Sequence, residues 1–183
     1  MPPAVDDEVR EHLRAGRSEP AMRALMRAYG RVVLGYCRRF ADSDAQAQDL
    51  RQEVFAQAHR DLHRFEGRSS LRTWLLSIAR HRGLDARKAH GRRAARLAVV
   101  ETAAATRSPL PLDGQLAMRQ IIEQCLGELP EPSREAVWLR HATGLHYAEI
   151  ATVVQASVAA LQMRVARSIQ ALRRCLDTHG AAP

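Results

Sequence analysis

The sequence predicts an all-α protein with two small helical domains joined by a flexible linker, the C-terminal domain being a helix-turn-helix. Its 183 residues are rich in Ala, Leu, Arg and Gln, which favour helices, and aromatic residues make up 4% of the chain. Alternating runs of β-branched residues, which would predict strands, do not occur. An aperiodic stretch containing Pro109 and Pro111 separates two regions of helical periodicity.

Charge and hydropathy exclude several classes of protein. Lys and Arg number 28 against 20 Asp and Glu, and the formal charge of +8 favours a polyanionic partner. No segment approaches the roughly 18 consecutive apolar residues of a transmembrane helix. Asp6-Asp7-Glu8 stands where a signal peptide has a basic and then an apolar region. We therefore expect a soluble, cytoplasmic chain with no membrane insertion.

Three cysteines, Cys37, Cys125 and Cys175, are odd in number and widely spaced. They form neither a Cys-x-x-Cys pair nor a zinc-finger spacing, so we expect no disulfide framework and read all three as small core residues. His59 and His63 are four residues apart on a predicted helix, but no third ligand stands at a paired-motif spacing. The sequence therefore predicts no metal site and no cofactor.

Periodicity divides the chain into four parts. Residues 1–19 are a predicted N-terminal extension, and residues 20–96 are a predicted first domain with three helices. Residues 97–114 lack periodicity and form the predicted linker. Residues 115–183 form the predicted helix-turn-helix domain.

The first two helices follow from apolar spacing. Residues 21 to 40 repeat apolar side chains at steps of three and four, which is the period of one buried helix face. A second helix is predicted from about Asp44 to His63, with Ser43 or Asp44 as its cap.

A short polar loop precedes the third helix. Gly67 breaks the periodicity, and Ser69 or Ser70 is the predicted cap. We assign Trp74 to the apolar inner face of this helix rather than to a base wedge, since its neighbours on that face are Leu71, Leu75 and Ile78.

Basic residues concentrate around this loop. From Arg64 to Arg96 there are ten basic residues and two acids, Glu66 and Asp85. A charge run is often only a solvated helix face, but this one flanks an aromatic residue, Phe65, and continues on a helix whose other face is apolar. We therefore expect its arginines to share one surface that binds phosphates.

The second helix carries the opposite charge. Asp49, Gln52 and Glu53 fall on one side at spacings of three and four. An acidic stripe repels nucleic acid, so this side is predicted to bind a protein with a basic surface.

The second domain has the order of elements of a helix-turn-helix. Leu129-Pro130 ends one helix, and Ser133 caps another that runs to about Ala142. Gly144 precedes a short helix, and Gln155-Ala156-Ser157 separates it from a longer basic helix.

The N-terminal end of that last helix is where a recognition helix meets base edges. Gln162 can pair with adenine, and Arg164 and Arg167 can bind guanine or phosphate. Arg173 and Arg174, near the other end, either contact DNA or only complement the helix dipole.

Three segments resemble the extracytoplasmic-function (ECF) sigma factors of bacterial RNA polymerase, in that family's order. Residues 47–55, AQDLRQEVF, resemble its polymerase-binding signature, and residues 65–80, FEGRSSLRTWLLSIAR, resemble its promoter-melting segment. Residues 129–137, LPEPSREAV, together with residues 144–151, GLHYAEIA, resemble its C-terminal helix-turn-helix.

The resemblance implies an alternative sigma factor that binds core RNA polymerase and directs promoter-specific transcription initiation, with no catalysis of its own. It implies core-polymerase binding by the side chains Asp49, Leu50, Gln52, Glu53 and Phe55. It implies minus-ten DNA binding by Phe65, Glu66, Gly67, Arg68, Ser69, Ser70, Arg72, Arg80, His81, Arg87 and Lys88. It implies minus-thirty-five DNA binding by Ser157, Val158, Ala159, Gln162, Met163, Arg164 and Arg167. The implied partners are core RNA polymerase, promoter DNA, and an anti-sigma factor or other regulator.

Two positions of the first domain depart from the family's pattern. Gln48 stands where an acidic residue is usual, which removes one charge from the acidic surface. His81 stands where an asparagine is common, which changes a promoter contact.

Two other classes of function remain open from the residues. A helix-turn-helix repressor or activator would need the second domain, but it would have no use for the acidic side of the second helix. A small metal-dependent helical enzyme would need more ligands than His59 and His63.

Overall fold

The computed structural model describes residues 3–97 and 114–179, and every regular element in these ranges is helical. The chain divides into two compact units, one built mainly from the first 101 residues and the other mainly from the remainder. The predicted linker lies outside the described residues except at its two ends. None of the described helices combines the length and apolar character needed to cross a membrane.

The first unit contains four helices and one short turn. They are α1 (Pro3–Arg14), α2 (Ser18–Cys37), α3 (Asp44–Asp61), a 3₁₀ turn (Leu62–Arg64) and α4 (Leu71–Leu97). Helix α2 is central, because it packs against each of the other three. The predicted periodicity is confirmed here, since α2 turns Leu25, Val33 and Tyr36 into a solvent-free core.

Helix α4 approaches the end of α2 so closely that only a glycine fits at position 83. A Cβ placed there would lie 2.4 Å from Cγ of Phe40, which is far shorter than a normal contact. The Phe40 ring also packs edge-on against Tyr36, with centroids 5.4 Å apart. Gly83 therefore sets how α4 docks on the core.

The N-terminal extension contains a helix that the sequence did not predict. Residues 3–14 form it, and it packs on α2. Its Asp6 is 7% exposed and accepts hydrogen bonds from the Tyr29 hydroxyl and from the Leu71 backbone N–H, both at 2.9 Å. Burial, and then the bond to Asp6, raises the pKa of Tyr29, which keeps its hydroxyl protonated as a donor. One carboxylate thus ties α1 to α2 and to the start of α4.

The second unit contains α5 (Gly114–Glu128), α6 (Glu131–His141), α7 (Tyr147–Val154) and α8 (Val158–Thr178). Helix α8 packs against α5 and α6. The core of this unit consists of fully buried aliphatic side chains from α6, α7, α8 and the loop before α7: Leu139, Leu145, Ile150 and Leu161.

The predicted helix-turn-helix is confirmed. Gln155 ends α7 in the left-handed conformation, with φ of 57°. Two residues later, the Ser157 side chain accepts the Ala160 N–H at 3.2 Å and caps α8. Gln155 thus reverses the chain although it is not a glycine. Its β-carbon makes the left-handed conformation energetically unfavourable.

The interpretation of the cysteines is wrong for two of them. Cys125 of α5 and Cys175 of α8 form a disulfide, with Cα atoms 5.8 Å apart. They are 50 residues apart in sequence and meet only because α5 packs on α8, a contact that no local spacing encodes. Cys37 is free and buried, as predicted, and burial raises the pKa of its thiol to about 12.

Candidate functional sites

Helix α3 presents the predicted acidic side to solvent. Ser43 caps the helix by accepting the Gln46 N–H at 3.2 Å, which confirms the predicted start. Asp49, Gln52 and Glu53 are all exposed. The side is thus fixed on a helix whose opposite face is anchored in the core.

Two residues from the predicted polymerase-binding set face inward instead. Leu50 and Phe55 are each 5% exposed. Sequence reasoning grouped them with the exposed residues because they belong to the same motif. Because they are buried, these two side chains anchor α3 in the core. Their direct contact with a partner stays a prediction.

A groove lies on each flank of α3. The first, of 510 Å³, lies among α3, α4 and the segment after α2, and Asp42, Asp49 and Glu53 line it. His90 also lines it and lies with Nε2 3.3 Å from Oδ2 of Asp42. The carboxylates give this groove its negative charge.

The second groove, of 300 Å³, is formed by α2 and α3 and is mainly apolar. Met22, Met26, Gln52 and Phe55 are among its lining residues. Met26 is 49% exposed, which is unusual for a large apolar side chain on a packed helix. Sequence reasoning placed Met26 in the core because it shares the helical period of its buried neighbours. A partner that holds α3 from both sides meets acid on one flank and apolar surface on the other.

The predicted melting loop runs from Phe65 to Ser70, between the 3₁₀ turn and α4. Gly67 adopts φ of 74°, a conformation that L side chains rarely take. The exposed side chains of Glu66 and Arg68 form an ion pair within the loop. Ser70 caps α4 by accepting the Thr73 N–H at 3.2 Å, as one of the two predicted caps.

Two aromatic side chains meet at the base of this loop. The ring centroids of Phe65 and Trp74 lie 5.3 Å apart at a tilt of 49°. Both side chains are half-buried, so Trp74 is less internal than the sequence predicted.

Helix α1 forms one wall of a cavity beside the loop. The cavity, of 810 Å³, is lined by Arg10 and Arg14 from α1 and by His63, Phe65 and Gly67. Sequence reasoning missed these two arginines because residues 1–19 had no assigned element. The signal available was their spacing, because residues four apart lie on one face once the segment is known to be helical.

The expectation that the basic residues of α4 share one surface is wrong for Arg82. Its guanidinium donates to the Gln57 side-chain oxygen at 2.5 Å and so ties α4 to α3. Arg87 bonds to the Arg39 carbonyl and lies over the Phe40 ring, 5.2 Å from its centroid. Part of the charge run therefore serves the fold.

Other predicted minus-ten residues are differently placed on α4. Arg72 and Arg80 are half-buried, whereas His81 and Lys88 are exposed. Nδ1 of His81 lies 2.9 Å from the Ser77 carbonyl, so the ring points back along the helix. Their contacts with DNA stay predictions.

The N-terminal half of α8 is exposed as a recognition helix requires. Ser157, Ala159 and Gln162 are exposed, and so are the apolar Val158 (38%) and Met163 (55%). Leu161 and Val165 point into the core between them. Arg164 is half-buried and Arg167 exposed, and among the described residues neither forms an ion pair.

Comparisons with known proteins identify both units. A model of sigma-70 region 2 matches residues 25–93, and a model of sigma-70 region 4 matches residues 119–172. The RNA polymerase sigma-H factor of Pseudomonas aeruginosa is 31% identical over 187 residues, covering 94% of each chain. The chain belongs to the ECF sigma factors. It is an alternative sigma factor, and core RNA polymerase and promoter DNA are its partners.

Further relatives agree with this family. The ECF RNA polymerase sigma-E factor of Escherichia coli K12 is 30% identical over 164 residues, covering 84% of this chain and 85% of the relative. The structure of CnrH in complex with the cytosolic domain of CnrY superposes with a TM-score of 0.67 at 25% identity, covering 95% of this chain and 98% of CnrH. RpoE of Bartonella quintana, solved with the anti-sigma factor NepR, has a TM-score of 0.68 at 22% identity over 83% of this chain and 94% of its own.

The two family models match different sets of helices in this sigma factor. The region 2 match contains α3, the loop and nearly all of α4, but it begins after α1. The region 4 match contains all of α6 and α7 and most of α8. A repressor or activator outside the polymerase is therefore not favoured.

Proposed function

We propose that this sigma factor docks on core RNA polymerase through the exposed side of α3, opens the minus-ten element with its loop, and reads the minus-thirty-five element with α8. The observation that carries the docking step is the exposure of Asp49, Gln52 and Glu53 above a buried Leu50 and Phe55. Carboxylates on a rigid helix suit a basic partner surface, and complementary charge speeds the encounter. This side also keeps DNA phosphates away from the polymerase contact.

The minus-ten step uses the Phe65–Ser70 loop. Removing a base from the stack costs a few kcal/mol, which stacking and phosphate contacts must offset. Phe65 offers an aromatic face, and Arg14 beside the cavity offers positive charge. Arg68 and Arg10 add to it when DNA phosphates replace their partners Glu66 and Asp7. The left-handed Gly67 lets the backbone turn within this space.

The minus-thirty-five step treats DNA as a duplex. The exposed N-terminal half of α8 has the size and polarity to enter a major groove. Gln162 and Arg164 supply base contacts, and Val158 and Ala159 supply apolar contact to thymine methyl groups. Arg167 contacts phosphate.

The chain itself makes and breaks no covalent bond in this proposal, since its contribution is binding and DNA deformation. It acts in the cytoplasm, where core polymerase and promoters are. A protein regulator, such as an anti-sigma factor, covers the apolar groove of Met22, Met26 and Phe55 and so competes with core polymerase. CnrH, which resembles this chain along most of its length, is bound to the cytosolic domain of another protein.

The test separates docking, duplex binding and melting. The chain is mixed with sigma-free core polymerase and a promoter fragment, and opening is followed with a fluorescent base analogue in the minus-ten element. We expect opening only when both proteins are present. Phe65→Ala should bind minus-thirty-five duplex as well as the unaltered chain but open the promoter at least tenfold less. DNA binding without any association with core polymerase would remove the proposal and favour the repressor or activator.

A further inference from the structure

The second unit brings together three side chains that are good ligands for a soft metal ion. The Cys125 and Cys175 sulfur atoms and a ring nitrogen of His179 all lie within 4.8 Å of one another. Cys175 and His179 stand one helical turn apart at the end of α8. Nδ1 of His179 lies 4.0 Å from Sγ of Cys175 but donates to the Cys175 carbonyl at 2.9 Å, which fixes the ring and leaves the Nε2 lone pair for a metal ion. Among the residues that the structure describes, this is the one group of three such ligands.

We propose that the reduced chain binds a soft divalent cation such as Zn²⁺ through Cys125, Cys175 and His179, and that the disulfide is the oxidised, metal-free form of the same site. In tetrahedral zinc sites with Zn–S bonds near 2.3 Å, two sulfur ligands lie about 3.7 Å apart. Cα atoms 5.8 Å apart permit that separation after rotation of the two side chains, so the helices can stay where they are.

The surroundings of the site favour a cation. Cys125 is three residues before the end of α5, and Cys175 is three residues before the end of α8. The C-terminus of a helix carries partial negative charge, so two such ends attract a positive ion and disfavour a free thiolate. The free thiols are therefore weak nucleophiles, whereas a bound metal ion makes them thiolates.

The two forms interconvert by a balanced reaction. The metal ion binds two thiols and one imidazole and releases two protons. A low-molecular-mass disulfide then oxidises the two thiolates: the Cys125–Cys175 bond forms, the small disulfide takes up two protons to become two thiols, and the metal ion leaves. In a cytoplasm that keeps thiols reduced, which follows from the proposed function, the metal-bound form is the resting form.

The three ligands differ in their exposure to solvent. Cys125 is 1% exposed, Cys175 is partly exposed and His179 is exposed. The site therefore opens to solvent on the His179 side, where water completes the tetrahedron. Such a site has three protein ligands and one open position, unlike a closed structural site with four protein ligands.

Co²⁺ titration of the full-length chain tests the proposal. Reduced, metal-stripped protein should bind one Co²⁺, with a thiolate-to-cobalt charge-transfer band and release of two protons, and Zn²⁺ should displace it. The oxidised chain should bind none until a reductant is added. His179→Gln, at an exposed position, should weaken binding at least tenfold, and Cys175→Ser should abolish the charge-transfer band.

Two matched variants serve as controls. Cys37→Ala removes the free cysteine of the other unit and should leave the titration unchanged, as should His141→Gln on exposed α6 surface. Absence of the charge-transfer band in the reduced, unaltered chain would overturn the proposal, and so would full binding by His179→Gln. Core-polymerase binding by the same samples is a separate readout, so failure of the metal site leaves the proposed function standing.

Discussion

The two units of this sigma factor use charged residues differently. In the first unit, Asp6, Arg82 and Arg87 hold helices together, so many charges there have structural partners. In the second unit, a disulfide joins α5 to α8, and Arg164 and Arg167 have no ion-pair partner among the described residues. Arg140 of the second unit is also structural, because it donates to the Leu145 carbonyl and lies over the Tyr147 ring. The contrast is therefore between these bonded arginines and Arg164 and Arg167 of α8.

The largest expected effect concerns the disulfide of the second unit. Closing a loop of 50 residues removes chain entropy worth about 4 kcal/mol from the unfolded state. We expect reduction to lower the free energy of unfolding of this unit by up to that amount while the first unit is unaffected. Urea unfolding, followed through Trp138 in a Trp74→Phe chain with chelator present, measures the difference. Equal midpoints for the oxidised and reduced chains would contradict it.

The first unit should instead be most sensitive to packing at Gly83. Gly83→Ala forces a Cβ into the Phe40 ring, and such overpacking costs about 1–3 kcal/mol. Gly30→Ala is the matched control, because apart from the backbone of α2 itself and the two chain neighbours no atom lies within 4 Å of a Cβ built there. Since Ala is the better helix former, the free energy of unfolding of the Gly30→Ala chain should rise by up to about 1 kcal/mol. Urea unfolding of the first unit should thus show changes of opposite sign.

A pair of arginines tests the contrast in charge directly. Arg82→Ala loses a hydrogen bond to Gln57 and should reduce stability by about 1 kcal/mol, with no change in the salt dependence of DNA binding. Arg167→Ala should leave stability unchanged and lower the salt slope by about one. If Arg82→Ala instead lowered the salt slope and Arg167→Ala instead reduced stability, the roles assigned to both arginines would be wrong.

The smallest effect concerns the turn between α7 and α8. Gln155 has a positive φ, which glycine adopts without strain. We expect Gln155→Gly to stabilise the second unit by up to about 1 kcal/mol and to leave promoter preference unchanged. A calorimetric melt checks the first statement and duplex titrations check the second.

Local signals in the sequence were enough for most of the fold. Apolar period predicts α2, and the predicted caps Ser43 and Ser70 are confirmed, because each serine oxygen accepts an N–H that the helix leaves free. The predicted cap Ser133 is wrong, because α6 already begins at Glu131, after Pro130. The acidic side of α3 and the exposed half of α8 follow from the same 3.6-residue period.

What the sequence did not predict depends on contacts between distant residues. Helix α1 is polar, and its Asp6 is bonded to residues 23 and 65 positions away. Cys125 and Cys175 are 50 positions apart, and Arg82 reaches a residue 25 positions earlier. Such pairs leave no periodic signal, so charge and cysteine spacing alone gave the wrong roles for these residues.

The central claim is that the exposed acidic side of α3 docks on core polymerase. The direct measurement is the affinity of sigma-free core polymerase for a chain with Asp49→Lys and Glu53→Lys, compared with a chain carrying Asp7→Lys and Glu11→Lys. Both pairs are exposed acids four residues apart on helices of the first unit, so the change in net charge and spacing is the same. We predict that the α3 pair loses at least a hundredfold in affinity, about 3 kcal/mol, because each reversal sets like charges against each other in the interface. The α1 pair should change affinity less than threefold; equal affinity for the two variant chains would contradict the account.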